Sequence, residues 1–248
     1  MEIKNYDVCD KNYRQKNPMV PKHPFRMCLI GPSGSGKTNL LLNMIYNEWL
    51  AYDTITLVAK TLQQPTYQKL IETIHEAEGV KKRALERENK RRKKDEIMPD
   101  LLDESQWKIG HAFVDSIDDI PPLESYDPSK QNLLICDDCI EEKNQSAFLH
   151  WFIRSRHKNC SVLYLSQSYF KIPPDIRRNT SCFVLFKMPR QRDLSLIYDD
   201  QVSVDITKDQ FKQIYFKATN PRYGFLVIDT MADCDKMFIR NKFDGIIL

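Results

Sequence analysis

Eight consecutive residues, Gly31, Pro32, Ser33, Gly34, Ser35, Gly36, Lys37 and Thr38, fit the phosphate-binding pattern G-x-x-x-x-G-K-S/T in full. The glycines let the backbone bend until several N–H groups converge on phosphate oxygens at a helix N-terminus. Lys37 is expected to neutralise β- and γ-phosphates, and Thr38 to ligate Mg²⁺ through its hydroxyl. Asn39, the next residue, is grouped with the nucleotide-binding loop. The flanks agree with the motif, since apolar FRMCLI precedes it and the helical stretch LLLNMIYNEWL follows.

A second constellation begins at Asn132-Leu-Leu-Ile-Cys-Asp137-Asp138. An apolar run ending in a carboxylate places that carboxylate at the C-terminal tip of a strand, where ligands gather in open α/β sheets. Asp137 would hold Mg²⁺, and Asp138 would either polarise an attacking water or cap the following turn. Gln167 ends the run SVLYLS, and its amide, donor and acceptor at once, could sense the γ-phosphate or orient water. Arg156 stands at the far end of that strand, about 20 Å of rise away. It could not reach its own γ-phosphate but could reach a neighbouring subunit's, as a trans arginine finger; Arg177 and Arg178 are runners-up. The bland alternative for Arg156 is a helix-end cation satisfying carbonyls.

The elements that must position these groups alternate. Strands are expected at 25–30, 54–59, 132–136, 161–166, 181–186 and 223–229, with an extra one at HAFV. Helices are expected at 66–94, with a break at Gly79, at 145–157, and after a capping box that starts at Thr207. This order predicts an α/β fold, a mostly parallel central sheet covered by helices on both faces. Residues 1–24, punctuated by Pro18, Pro21 and Pro24, read as an extended N-terminal arm. Residues 25–248 then form a single domain with a charged helical and Pro-rich insertion at about 78–130.

Composition sets the class. The 248 residues are 42% hydrophobic and 10% aromatic, which does not fit a disordered chain. No apolar run approaches the ~18 residues of a membrane span, and the N-terminus lacks a signal peptide's apolar core. Seven scattered cysteines argue for reduced thiols in a cytosol-like compartment. The formal charge of +3 hides an asymmetry: residues 81–94 hold nine basic and two acidic side chains. The rest of the chain is net acidic, so a uniformly basic body wrapping nucleic acid is not supported. Within the basic run, Lys90, Arg91, Arg92 and Lys93 are candidate DNA contacts, the alternative being a solvated helix.

GPSGSGKT, LLICDD, the block RSRHKNCSVLYLSQSYFKIPPDIRRN and the strand CFVLFK together resemble the genome-packaging ATPases of poxvirus-type large DNA viruses, virophages and Polinton-like elements. These are a branch of the FtsK/HerA group. The resemblance spans roughly residues 25–190. It implies a RecA-like P-loop NTPase sheet, ATP with Mg²⁺, a homo-oligomeric ring (penta- or hexameric), and translocation of double-stranded DNA into a capsid. It further implies a capsid or portal-vertex partner, and a location in the infected cell's cytoplasm or in the virion, without secretion or a membrane. A glutamine after the fourth core strand and a trans-acting arginine upstream of it are matched by Gln167 and Arg156.

Two other readings of the same loop stay open: a P-loop kinase acting on a small molecule or nucleoside, and an assembly module switched by ATP. Cys136 and Cys139 form a CxxC without a second ligand pair, so zinc is not expected. Asn241-Lys-Phe-Asp244 matches a guanine-reading element, but DxxG does not follow the carboxylate strand, so a GTPase is not expected.

Overall fold

Runs that are apolar at every position, such as Met27–Ile30 and Val162–Leu165, are buried throughout, as strands covered on both faces must be. The computed structural model describes residues 17–50, 52–95, 109–139, 145–204, 206–232, 236–240, 243 and 245–247. In chain order the elements are β1 (Arg26–Ile30), α1 (Lys37–Tyr46), β2 (Thr54–Ala59), α2 (Pro65–Asp95), β3 (Gly110–Val114), β4 (Asn132–Asp137) and α3 (Gln145–Arg154). They continue with β5 (Cys160–Ser166), α4 (Pro174–Asn179), β6 (Cys182–Phe186), α5 (Gln191–Gln201), α6 (Lys208–Thr219), β7 (Phe225–Asp229) and β8 (Phe238–Arg240).

The strands form one sheet in the order β3-β2-β4-β5-β1-β6-β7-β8. All neighbours from β3 to β6 run parallel, and β7 and β8 are antiparallel. Alternate strand residues feed two cores. Cys28, Ile30, Leu134 and Tyr164 pack with Phe148, Phe152, Ile197 and Phe211 of α3, α5 and α6. On the opposite face Met27, Leu29, Ile55 and Leu163 pack with Leu41, Met44, Tyr67 and Leu70 of α1 and α2. The result is the expected helix–sheet–helix sandwich. Register pairs Ile30 with Ser166 and Asp137 with Leu165, bringing the tips of β1, β5 and β4 to one edge.

Several elements differ from the sequence expectation. α2 runs unbroken through Gly79, because an α-helix tolerates one glycine at about 1 kcal/mol when flanking residues favour it. Its first turns are docked: Tyr67, Leu70 and Ile74 are buried, and Glu78 accepts a hydrogen bond from the Ile109 N–H (2.9 Å). Beyond them Val80, Lys82, Arg83 and Ala84 are exposed. Within the Pro-rich insertion the strand expected at HAFV forms. β3 extends the sheet beside β2, and Ile109, Ile117 and Tyr126 are buried. Residues 96–108 of that insertion lie outside the described residues.

α3 ends at Arg154, and Ser155–Lys158 tighten into a 3-10 turn closed by Asn159 in a left-handed conformation (φ +49°). α5 and β8 were not expected; α5 is mostly polar with a narrow buried stripe, and β8 is three residues long. Residues 1–16 of the arm are outside the described residues. Residues 17–24 are partly built in, with Val20 and His23 buried. His23 Nε2 hydrogen-bonds Asn159 O (2.9 Å) and Nδ1 pairs with the Ser161 hydroxyl (2.7 Å). The capping box at Thr207 and Gln210 forms as expected.

Candidate active site

The loop between β1 and α1 makes a tight cradle. Gly34 (φ +74°) and Gly36 (φ +104°) are left-handed, which side chains with a Cβ rarely allow. At Gly31 a Cβ would come within 2.6 Å of Phe186 Cβ and 2.7 Å of Ser35 Oγ, so the backbone passes where no side chain fits. Ser35 Oγ is buried without a hydrogen-bond partner, a polar atom that a phosphate oxygen would satisfy. Lys37 is buried and donates to Gly31 O (2.6 Å) and Pro32 O (3.1 Å). Burial pulls its ammonium below the ordinary lysine range, while Asp137 and Asp138 oppose that shift. The site is therefore electrostatically paired: one cation faces two carboxylates.

Both carboxylates stand where β4 ends. Burial raises the Asp137 carboxyl above its usual range, and a hydrogen bond from Tyr67 together with the Lys37 charge draws it back. Tyr67, from the first turn of α2, donates its phenol O–H to Asp137 Oδ2 and also interacts with the Thr38 hydroxyl. Burial first, and Asp137 next, raise the phenol's pKa, so it remains a donor. Thr38 and Asp137, the expected magnesium ligands, are thus joined through one phenol. Two hard oxygen donors converging from separate elements suit Mg²⁺, which usually completes its shell with phosphate and water. Asp138 takes a left-handed turn (φ +54°) and its N–H donates to Leu165 O (3.2 Å).

Gln167, just past β5, donates its side-chain N–H to Asp138 Oδ2 (2.9 Å). Lys37, Thr38, Asn39, Asp137, Asp138 and Gln167 line one cleft of about 290 Å³, with Ser33, Gly34 and Gly36 along the loop. The fold thus collects at one edge what the sequence spreads over more than 130 positions. A lysine for phosphate charge, two oxygens for a metal, and a carboxylate held by an amide are the parts that attack of water on a γ-phosphate requires.

Arg156 is elsewhere. It is exposed in the turn before β5, at the opposite end of that strand from Gln167; burial first, and the Arg156 charge next, pull the neighbouring Arg26 guanidinium below its ordinary range. Arg177 is occupied: it pairs with Asp200 (2.6 Å) and lies 5.0 Å from the Tyr169 ring centroid. Arg178 is exposed and pairs with Asp175 (3.3 Å). Lys90 is exposed on the projecting half of α2; the side chains of Arg91, Arg92 and Lys93 lie outside the described residues, as do Asn241, Lys242 and Asp244.

Sequence reasoning passed over four residues at this cleft: Tyr67, Thr61, Gln64 and Tyr223. Tyr67 shares an i, i+3, i+7 stripe with Leu70 and Ile74, so its ring reads as core; its hydroxyl is what reaches the site.

A profile of the poxvirus A32 protein family matches residues 12–122. No curated protein sequence matches the chain. Among solved structures, the genome packaging NTPase B204 from Sulfolobus turreted icosahedral virus 2 in complex with ATP-gammaS is similar, with TM-score 0.54 and 15% identity over 91% of this chain and 98% of that one. The B204 DNA-packaging ATPase from Sulfolobus turreted icosahedral virus gives TM-score 0.54 and 14% identity, covering 90% of this chain and 98% of the other. At such identities the likeness fixes the fold. The chain has the fold of a P-loop NTPase and, over residues 12–122, is similar to the poxvirus A32 protein family.

Proposed function

We propose that this chain is an ATP-hydrolysing viral genome-packaging motor that translocates double-stranded DNA into a capsid as a homo-oligomeric ring. The observation that carries the reading is the single cleft shared by Lys37, Asp137, Asp138 and Gln167 on three adjacent strand tips. The A32 profile and the fold of proteins described as packaging NTPases support it.

In this reading Lys37 and the loop N–H groups bind the β- and γ-phosphates. Thr38 and Asp137, the latter oriented by Tyr67, would hold Mg²⁺, which would supply charge neutralisation to the phosphates. Asp138 accepts a proton from water in line with the γ-phosphate, and Gln167 fixes the carboxylate's orientation. Arg156 of a neighbouring copy completes the charge stabilisation, a role that its exposed place at the foot of β5, away from its own cleft, supports. Such a finger contributes about 10³–10⁵ in rate. The partners would be duplex DNA and a capsid or portal-vertex protein, met in the cytoplasm of the infected cell or in the virion.

A phosphotransferase would need the basic stretch as a lid over the cleft. Tyr67 touches the cleft, and Lys81 lies fourteen residues further along the same unbroken helix, about 21 Å away. That geometry disfavours closure. The test is Mg²⁺-dependent ATP turnover by the purified chain with and without duplex DNA, alongside its size in solution. DNA-stimulated turnover that rises with protein concentration and disappears in Lys37→Ala supports the motor. Turnover indifferent to both DNA and concentration overturns it.

A further inference from the structure

We propose that Tyr223 is the stacking platform for the purine ring of the bound nucleotide, which sits in a recess between that residue and α1. The inference rests on the ATP reading above and adds the residue that recognises the base.

Direction comes first. β4 and β5, whose tips carry Asp137, Asp138 and Gln167, lie on one side of β1, and β6 and β7 lie on the other. A triphosphate with its γ-phosphate at the carboxylates and its chain over Lys37 and Thr38 leaves the loop past Asn39, toward β6 and β7. A recess of about 450 Å³ opens there, sharing Gly36, Asn39 and Tyr223 with the phosphate cleft. Asn43, Trp49 and Phe186 supply its other walls. Aromatic surface with a few amides is the lining expected of a small-molecule seat. Asn39 and Asn43 stand one turn apart on α1, and an amide both donates and accepts, as the edge of a base requires.

Tyr223 is the unusual member. The residue is 55% exposed, well beyond the intermediate burial usual for tyrosine. Its backbone is left-handed (φ +59°), a conformation that costs a bulky residue and that turns normally assign to glycine or asparagine. The turn is fixed on both sides. The Gly224 N–H donates to Pro221 O (2.8 Å), and a Cβ on Gly224 would sit 2.4 Å from Ala218 O. What the turn achieves is to lay the ring beside the phosphate loop: a Cβ at Gly36 would lie 3.3 Å from Tyr223 Cδ1. Arg222 holds the ring there, its guanidinium 5.0 Å from the centroid and its Nη2 donating to the phenol oxygen (3.2 Å). A strained, exposed, braced aromatic at the mouth of both cavities has a ligand's flat face as its natural partner.

The experiment compares ATP with inorganic tripolyphosphate, which shares the phosphates and lacks the base, on wild type, Tyr223→Gly and Tyr223→Trp by calorimetric titration. Expected is a loss of about tenfold to hundredfold in ATP affinity for Tyr223→Gly, unchanged tripolyphosphate affinity, and ATP binding retained in Tyr223→Trp. The melting temperature of Tyr223→Gly should not fall steeply, because glycine suits the left-handed turn. Equal ATP affinity in wild type and Tyr223→Gly overturns the inference, and so does equal weakening of both ligands. Failure of wild type to bind either ligand overturns the ATP reading itself and this inference with it.

Discussion

Gln167 donates to Asp138 Oδ2 across 2.9 Å, tying the tip of β5 to the tip of β4. The two residues are 29 apart in sequence, and the parallel pairing of those strands makes them neighbours. An aspartate reaches less far than a glutamate, so a partner that fixes its orientation matters more. Asp138→Asn should lower turnover by about 10²–10⁴. Gln167→Ala should lower it less, in the same direction, with ATP affinity unchanged in both, as steady-state kinetics and titration would read.

Tyr67 holds the two magnesium-ligand candidates together. Tyr67→Phe keeps the ring in the core and removes the hydroxyl alone. The Mg²⁺ concentration for half-maximal turnover should rise by about 10-fold or more, as for other groups that orient a metal ligand. Thermal stability, followed by circular dichroism, should change little beside that effect.

Arg156 lies at the wrong end of β5 for its own cleft, which makes complementation informative. Arg156→Ala should bind ATP normally and turn over about 10³-fold more slowly. Mixing it with Lys37→Ala should restore part of the rate, because intact half-sites can meet at the boundary between copies. Full rate in either variant alone would contradict the trans assignment.

Replacing Lys90, Arg91, Arg92 and Lys93 with Gln removes four cations from the far part of α2. The slope of log affinity for duplex DNA against log salt should become shallower by about 0.9 for each phosphate that those cations no longer neutralise. Fluorescence anisotropy at several salt concentrations would measure it.

Cys28, Cys136, Cys139, Cys160 and Cys182 are buried thiols. Burial pushes the Cys28 thiol up to about 12, so the folded chain keeps a proton that the unfolded chain loses near 9. The linked stability is complete below pH 9 and drains away as pH climbs toward 12. Because all five are buried, iodoacetamide at pH 8 should label none of them in the native protein and all of them in denaturant, as mass spectrometry would show.

The sheet was legible because its strands are apolar throughout and punctuated by loops with recognisable chemistry. GPSGSGKT identifies its own strand and helix, and the run Leu133–Cys136 identifies β4. What escaped was whatever did not need a strong local pattern. β8 is three residues long and is held by pairing with β7 rather than by composition. In the site, the motif residues announced themselves, and Tyr67 and Tyr223 did not. An aromatic on an apolar stripe looks like packing, and an aromatic in a turn looks like noise, until the fold sets both beside the same loop.

α2 behaves mechanically as a cantilever. It is clamped near Tyr67 and Glu78 and overhangs beyond Val80. From Val80 to Asp95 the overhang is about 22 Å long. A tilt of roughly 5° at the clamped end carries the free tip about 2 Å.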